Sequence, residues 1–239
     1  MKRKQLIIGS AVIVFLLVLW GAWNLWFGTT KVAFVNYQVI SLGQISKAND
    51  NSFIKISELS TDDLDKLTAY DMVFINAMGL RITEEQRAEI QKAAATNPAN
   101  NIVSLDSVQA DTLKSYLGSG GRRNYRSLLN YVRKHIDGKL ISVNEPEGVI
   151  KRSNDLIYHT DPKKPDEEEL GFNTIAEYNA FLQKNGLLKE GAPHIIITGQ
   201  MGEPTELIAK LEETGNVVFP VRDMKTFISM HHIDSVQPS

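Results

Sequence analysis

The hydrophobic pattern begins with an uncharged, almost wholly apolar run over residues 6–27. As a helix this run would be about 33 Å long, enough to cross the hydrocarbon core of a bilayer. Trp20, Trp23 and Trp26 lie at its far end, and indole rings favour the headgroup boundary of a membrane. We therefore predict an N-terminal transmembrane helix within residues 1–28, with residues 6–27 in contact with lipid.

A cleaved signal peptide is the alternative interpretation of this run, because Lys2, Arg3 and Lys4 precede it. The run is longer than the usual core of a signal peptide, and no small-residue cleavage site follows it. Only Lys31 carries positive charge shortly after the run, so the positive-inside rule places the N-terminus in the cytoplasm. The sequence thus predicts a single-pass protein of the bacterial inner membrane whose soluble region lies in the periplasm.

Beyond residue 28, short β-branched runs alternate with helical patterns. Residues 31–36 and 71–76 have the composition of buried strands. Thr83 and Gln86 form a capping box that opens a helix to about Ala95. Strands that alternate with helices predict an α/β fold with a largely parallel sheet, here a flavodoxin- or Rossmann-like domain over residues 31–136. The other elements predicted in this domain are strands at 53–56 and 101–105, a short helix capped by Thr61, and helices at about 107–117 and 122–136, the last with an apolar stripe at Tyr125, Leu128, Leu129 and Val132.

The second half of the soluble region is less regular. Residues 137–172 read as an irregular connection that holds one short strand at 156–159 and a solvated acidic run at 166–169. Residues 173–239 have the pattern of a second α/β unit, which is incomplete because it holds few elements for a domain. We therefore expect the chain to be part of a longer protein. The elements predicted in this unit are helices at 174–183 and 204–213, strands at 194–198 and 217–221, and a last helix capped by Asp223.

Composition narrows the classes of function. The net charge is −2, so a broad nucleic-acid surface, which needs clustered Lys and Arg, is not expected. The chain has no cysteine, which excludes disulfides, cysteine nucleophiles and thiolate metal sites. No catalytic constellation is recognisable, and catalytic residues therefore stay unknown.

Polar residues follow two of the predicted strands. Asn36 and Asn76 end strands, and Met78 follows the second of them closely. Ligands collect beyond the carboxyl ends of parallel strands, so these three residues are candidate ligand contacts. The alternative is that both asparagines only cap loops, as Asn commonly does.

A glycine-rich break at residues 118–121 precedes Arg122 and Arg123. Free N–H groups at a helix start together with two guanidiniums suit a carboxylate or phosphate. The break lacks the G-x-G-x-x-G spacing and a Walker lysine, so no nucleotide site is expected. The alternative is a flexible loop with a solvated basic start.

One histidine lies in a context that suggests a ligand. His159 stands between Tyr158 and Thr160, and a neutral imidazole there would serve as an axial ligand of a haem iron or accept a proton. The alternative is a structural or exposed histidine. No intrinsic cofactor and no confident metal site are predicted.

An ordered series of short motifs runs from residue 116 to residue 221. Its members are Tyr116-Leu117, Gly120-Gly121, Asn124, Leu128-Leu129, Tyr158-His159-x-Asp161, Phe172-Asn173-Thr174, Glu177-Tyr178, Ile196, Thr198-Gly199-Gln200, Leu211-Glu212, Gly215-Asn216-Val217 and Pro220-Val221. This series resembles the N-terminal region of the CobN-type cobaltochelatase and magnesium-chelatase H-subunit family. The resemblance extends over about residues 31–239 and is strongest from residue 116 onward. Members of this family are far longer than this chain.

The apolar N-terminal run and the segment at 76–83 look most like the membrane-anchored, haem-dechelatase-like branch of this family. The resemblance implies that the full-length protein inserts metal into, or removes it from, haem or a related porphyrin, with other envelope or chelatase subunits as possible partners. Whether this chain acts as an enzyme by itself stays open. The alternative function is a non-enzymatic, membrane-anchored α/β binding or assembly module of the cell envelope. A periplasmic small-ligand receptor would need a complete second lobe.

Overall fold

The computed structural model describes residues 2–76, 79, 81–96, 107–163, 169–198 and 205–233, with the side chains of 2–11, 94–96 and 107 excepted. The chain divides into two compact units, residues 1–117 with 125–148 (unit 1) and residues 118–124 with 149–239 (unit 2). The elements in chain order are α1 (Lys2–Phe27), β1 (Thr30–Val35), α2 (Val39–Ala48), β2 (Ile54–Leu59), a 3₁₀ helix (Thr61–Ala69), β3 (Met72–Ile75), α3 (Glu84–Thr96), α4 (Ser107–Ser119), α5 (Arg122–Tyr131) with a π turn (Val132–Ile136), β4 (Ile157–Thr160), β5 (Glu169–Phe172), α6 (Ile175–Lys184), β6 (His194–Ile197), α7 (Thr205–Glu213), β7 (Val217–Pro220) and α8 (Met224–His231).

Unit 1 is built on a parallel sheet of strand order β2-β1-β3. The central strand β1 is fully buried from Val32 to Val35, because both faces of the sheet are covered. The predicted α/β fold with a parallel sheet is confirmed. The predicted strand at 101–105 lies outside the described residues.

Side chains on β1 alternate between two apolar faces. Ala33 and Val35 point to a cluster with residues of the 3₁₀ helix and α3, among them Leu64 and Leu67. On the other face Phe34 stacks on its register partner Phe74 with ring centroids 5.0 Å apart. The pleat of β1 thereby fixes which residues face each helical layer.

Of the two helix caps predicted in unit 1, one is confirmed and one is shifted by a residue. Thr83 and Gln86 exchange the two hydrogen bonds of a capping box, as predicted. The 3₁₀ helix is capped by Ser60 and not by Thr61, because the Ser60 hydroxyl accepts from Asp62 N while the Asp63 carboxylate accepts from Ser60 N. Ser60 has the extended backbone that a cap needs.

Helix α2 was not predicted from the sequence. Its buried face is short, with Leu42, Ile45 and Ala48 in contact with the interior. Val39 and Ile40 in its first turn are 75% and 70% exposed, so apolar residues occur on both sides of the helix. This distribution hides the single stripe by which an amphipathic helix is recognised.

The predicted apolar stripe is confirmed, because Tyr125, Leu128 and Leu129 of α5 and Val132 just after it are at most 6% exposed. The helix then widens into the π turn, which contains Arg133. Arg133 is fully buried although arginine seldom is. Its guanidinium donates from Nη1 to Gly28 O at 2.9 Å and to Thr30 Oγ1 at 2.8 Å, and from Nη2 to Ile141 O at 2.8 Å. Nε donates to Ser142 O at 2.9 Å, so each of the three nitrogens of the group forms at least one hydrogen bond.

Unit 2 contains an antiparallel pair, β4 with β5, and a parallel pair, β6 with β7. A single bridge between Ile157 and Val221 joins the two pairs. Aromatic side chains fill its interior, where Tyr178 lies between Phe172 and Phe219 at 5.3 Å from each ring centroid. The predicted cap Asp223 of α8 is confirmed, and Thr174, the first residue of the helix predicted at 174–183, caps α6.

The interpretation of the acidic run at 166–169 as solvated is wrong for Glu169. This residue begins β5, and its carboxylate forms an ion pair with the Arg152 guanidinium, with both side chains largely buried. A carboxylate removed from water keeps its charge only beside such a partner. Residues 166–168 lie outside the described residues.

Among the residues whose placement is described, no helix combines the length and apolar character that a membrane span requires.

Because Arg133 forms so many hydrogen bonds, we predict that its substitution strongly destabilises the fold. Arg133→Met removes the Arg133 donor from Gly28 O, Thr30 Oγ1 and Ile141 O and leaves Ser142 O with Asn51 alone, so we expect the free energy of unfolding to fall by about 3 kcal/mol or more. Urea unfolding of the detergent-solubilised chain, followed by far-UV circular dichroism, measures this loss.

The matched control is Arg87→Met, because Arg87 is 55% exposed and its ion pair with Glu84, at 3.6 Å, lies on the surface. A change of less than about 0.5 kcal/mol is expected there. Equal losses in the two variants would contradict a structural role for the Arg133 contacts.

Candidate functional site

The carboxyl edge of the unit 1 sheet brings the two predicted asparagines together. Asn36 and Asn76 follow the neighbouring strands β1 and β3, and Asn36 Nδ2 donates to Asn76 O at 2.8 Å. Asn36 has φ 59°, a left-handed conformation that Asn adopts more readily than most residues. Ligand binding by either residue stays a prediction, and Met78 lies outside the described residues.

A phenol and two apolar side chains lie next in sequence to Asn36. Tyr37 is half-buried with its ring edge-on to Phe34 at 5.0 Å. Burial raises the pKa of Tyr37 to about 12, so its hydroxyl keeps its proton at physiological pH. Val39 and Ile40 follow in the first turn of α2, where the Gln38 side chain makes no capping hydrogen bond.

These residues form one mixed surface, which we call the carboxyl-edge surface: Asn36, Tyr37, Val39, Ile40 and Asn76. Exposed apolar side chains beside a few polar groups are typical of sites for organic ligands. Such a surface suits a ligand with a large apolar face and polar substituents. Sequence reasoning found its asparagines but not its apolar part, because α2 itself was missed.

The predicted glycine-arginine site begins with Gly120 and Gly121, whose φ angles of 66° and 84° are left-handed. Asn124 is buried, and its Nδ2 donates to Gly120 O at 2.7 Å and to Ile150 O at 2.7 Å. Arg122 and Arg123 are half-buried and already take part in interactions within the structure. The turn before α5 is thus a hydrogen-bonded structure, and anion binding by the two arginines stays a prediction.

His159 lies in the interior of unit 2 and is 4% exposed. Its Nδ1 is 2.5 Å from Thr160 O, and its Nε2 is 2.9 Å from Glu212 Oε1. The ring also contacts Phe181, with centroids 5.1 Å apart. Glu212, on α7, is 8% exposed, so both partners of the pair are withdrawn from water.

The proton count of this pair follows from the acceptors. Thr160 O can only accept, so His159 Nδ1 carries a hydrogen. One further proton then lies between Nε2 and Glu212 Oε1, on the imidazole as an ion pair or on the carboxyl as a neutral pair. A haem iron at His159 would have to displace one of these two contacts. The predicted axial ligation therefore requires a rearrangement of unit 2 and stays a prediction.

Glu212 was not singled out as a site residue from the sequence. Its spacing from Ile208 could have indicated that Glu212 is buried. Residues four apart share a helix face, and Ile208 is buried. Within the described part of the chain, no group of three or more histidine and acidic side chains is placed to hold a metal ion.

The chain matches no protein-family model. It also matches no curated protein sequence. Among solved structures it is similar to the catalytic subunit of cobaltochelatase from Mycobacterium tuberculosis, with a TM-score of 0.44 and 14% sequence identity. The alignment covers 81% of this chain and 16% of that chain, so this chain spans only a small part of the length of the protein it matches.

The His159–Glu212 pair yields a stability prediction. Glu212→Ala leaves a buried ring nitrogen without its partner, and we expect the free energy of unfolding of unit 2 to fall by about 1–3 kcal/mol. Hydrogen exchange of the β7 amides, read by mass spectrometry, measures this because the three tryptophans all lie in α1 and do not report on unit 2.

Glu213→Ala is the control, since Glu213 is the next residue but pairs with Lys210 at 3.3 Å on the exposed side of α7. We expect a change of at most about 0.5 kcal/mol. If the two variants exchange alike, the buried pair does not stabilise unit 2.

Proposed function

We propose that the chain is the membrane-anchored head of a CobN-like tetrapyrrole metal chelatase and that it binds haem or a related porphyrin at the carboxyl-edge surface. One observation carries this proposal. Val39 and Ile40 are the most exposed large apolar side chains of the β1–α2 region, and they adjoin polar groups at the edge where parallel sheets bind ligands.

The chemistry of the surface supports a tetrapyrrole. A porphyrin is a flat apolar ring with carboxylate side chains, so it needs both apolar contact and hydrogen-bond donors. Val39 and Ile40 supply the apolar contact, and the protonated Tyr37 hydroxyl supplies a donor. The N-terminus of α2 adds the positive end of a helix dipole, which favours a carboxylate.

Three tyrosines among the residues that carry the family resemblance have a role in the fold. Tyr116 donates to Glu147 O, Tyr158 to Ser153 O at 2.8 Å and Tyr178 to Val218 O at 2.6 Å. A buried hydroxyl needs such a main-chain acceptor, so each tyrosine belongs to a specific local backbone arrangement. The resemblance therefore reflects residues that determine the fold, and binding has to be argued from the surface itself.

The remaining candidate residues belong to the same proposal as separate hypotheses. Met78 follows Asn76 closely in sequence and would extend the carboxyl-edge surface. Arg122, Arg123 and His159 belong to unit 2, and ligand contact by each of them is a separate hypothesis.

We further propose that α1 anchors the chain in the bacterial inner membrane, with its N-terminus cytoplasmic and both units periplasmic. The apolar run at 6–27 and its basic flank motivate this. The end of α1 leads directly into the amino end of β1, whose six residues extend about 20 Å. The carboxyl-edge surface therefore lies at the edge of the sheet away from α1.

Titration of the detergent-solubilised full chain with haem tests the binding proposal. We expect a shift of the Soret band at micromolar haem. Val39→Glu places a charge against the apolar ring and should weaken binding roughly tenfold or more, because burying an unpaired charge is costly. The absorbance shift measured against haem concentration gives both affinities.

Leu140→Glu is the matched control for this titration, because Leu140 is 68% exposed but lies near the amino edge of the same sheet. Its affinity for haem should equal that of the unaltered chain. No Soret shift at all would remove direct tetrapyrrole binding and favour the assembly-module function. Equal weakening by both substitutions would place the ligand elsewhere.

A reporter fusion tests the proposed orientation. A phosphatase that becomes active only in the periplasm, fused after Ser239, should be active, because the basic residues at the start of α1 stay in the cytoplasm. Replacing Lys2, Arg3 and Lys4 with glutamine should lower this activity. A fused reporter that works only in the cytoplasm would contradict the orientation.

A further inference from the structure

We infer that the amino edge of unit 1 rests on the membrane surface, with Leu140 and Ile141 inserted into the lipid interface beside the end of α1. This inference depends on the proposed anchoring by α1. It adds a second lipid contact, made by the α/β unit itself, and it fixes which edge of the sheet faces the bilayer.

The end of α1 and the turn at 139–142 are joined by hydrogen bonds. Lys139 Nζ donates to Asn24 O at 3.0 Å, and Ile141 N donates to Trp26 O at 3.2 Å. Gly28 closes the last turn of α1, and a Cβ there would stand 2.3 Å from Asn24 O. Only glycine allows this close approach, so the helix passes into unit 1 without a spacer.

The same turn is held from within unit 1. Arg133 donates to Ile141 O at 2.8 Å and to Ser142 O at 2.9 Å, and Asn51 Nδ2 also donates to Ser142 O at 2.7 Å. The backbone of the turn is therefore fixed. Its apolar side chains nevertheless point outward, with Leu140 68% and Ile141 39% exposed.

The exposed side chains at the end of α1, next to the turn, indicate lipid as the partner. Trp23 and Trp26 are 61% and 46% exposed at the end of α1, and exposed indoles of an apolar helix favour the headgroup region. Because Ile141 bonds to Trp26, the turn lies at the same depth as these rings. The apolar surface of α1 thus continues onto Leu140 and Ile141.

Lys139, the charged residue of the turn, does not oppose insertion. Lys139 and Asp137 form an ion pair at 3.3 Å, with side chains only 11% and 8% exposed. Paired and covered charges present little net charge to the interface, whereas an unpaired lysine or aspartate would hold the turn in water. The turn therefore offers apolar groups outward and keeps its charged groups inward.

The absence of cysteine from the sequence makes a labelling experiment direct. Leu140→Cys and, as its matched control, Val39→Cys are each labelled with an environment-sensitive fluorophore in the full chain. Val39 is 75% exposed and follows the opposite end of β1. The labelled chains are reconstituted into phosphatidylcholine liposomes with or without nitroxide-bearing lipid, after circular dichroism has shown that each is folded.

Flotation with the liposomes first establishes whether α1 anchors the chain. Among chains that float, we expect the label at 140 to lose most of its fluorescence to the nitroxide lipid and the label at 39 to lose none. Equal quenching at both positions, or no quenching at 140, would overturn the inference while leaving the anchor intact. A chain that does not float would overturn the anchor and the inference with it.

Discussion

The buried guanidinium of Arg133 is the interaction on which the arrangement of unit 1 depends. A charge withdrawn from water must be compensated, and here the acceptors come from the end of α1, the start of β1 and the turn at 139–142. Thr30 is the bridge, since its hydroxyl accepts from Arg133 Nη1 and donates to Asp137 Oδ2 at 2.5 Å. No one of these segments can move without leaving a buried polar group unpaired, so the guanidinium couples the apolar helix to the sheet.

This coupling separates two kinds of surface within unit 1. Everything that Arg133 binds lies at the amino edge of the sheet, next to α1. Asn36 and Asn76 lie at the carboxyl edge, held to each other across neighbouring strands. All three strands are parallel, so their amino ends share one edge of the sheet and their carboxyl ends share the opposite edge. A chain attached to a membrane through α1 therefore presents its strand-end residues to the solvent side.

The sequence could predict features that depend on local periodicity and capping. The strands around Val32 to Val35 and Met72 to Ile75, the Thr83–Gln86 box and the stripe of α5 all arise from residues close together in the chain. The partners of buried polar groups could not be predicted in this way. Arg133 and Gly28 are 105 residues apart, and His159 and Glu212 are 53 apart, so only the folded backbone shows that they meet.

Buried polar groups and exposed apolar groups carry different information about this protein. Arg133, the His159–Glu212 pair and the Arg152–Glu169 pair all find partners within their own units, so stability accounts for them. The stability of the folded chain does not explain the exposed apolar residues, because contact of apolar side chains with water is unfavourable.

Two pairs of exposed apolar residues of unit 1 lie at opposite edges of one sheet, Val39 with Ile40 and Leu140 with Ile141. The length of β1, about 20 Å, separates these two positions. The insertion of an interfacial surface reaches only about 5–10 Å, so a bilayer that contacts one edge does not reach the other. If the amino edge contacts lipid as inferred above, the two apolar surfaces have two different partners, and the partner at the carboxyl edge arrives from solution.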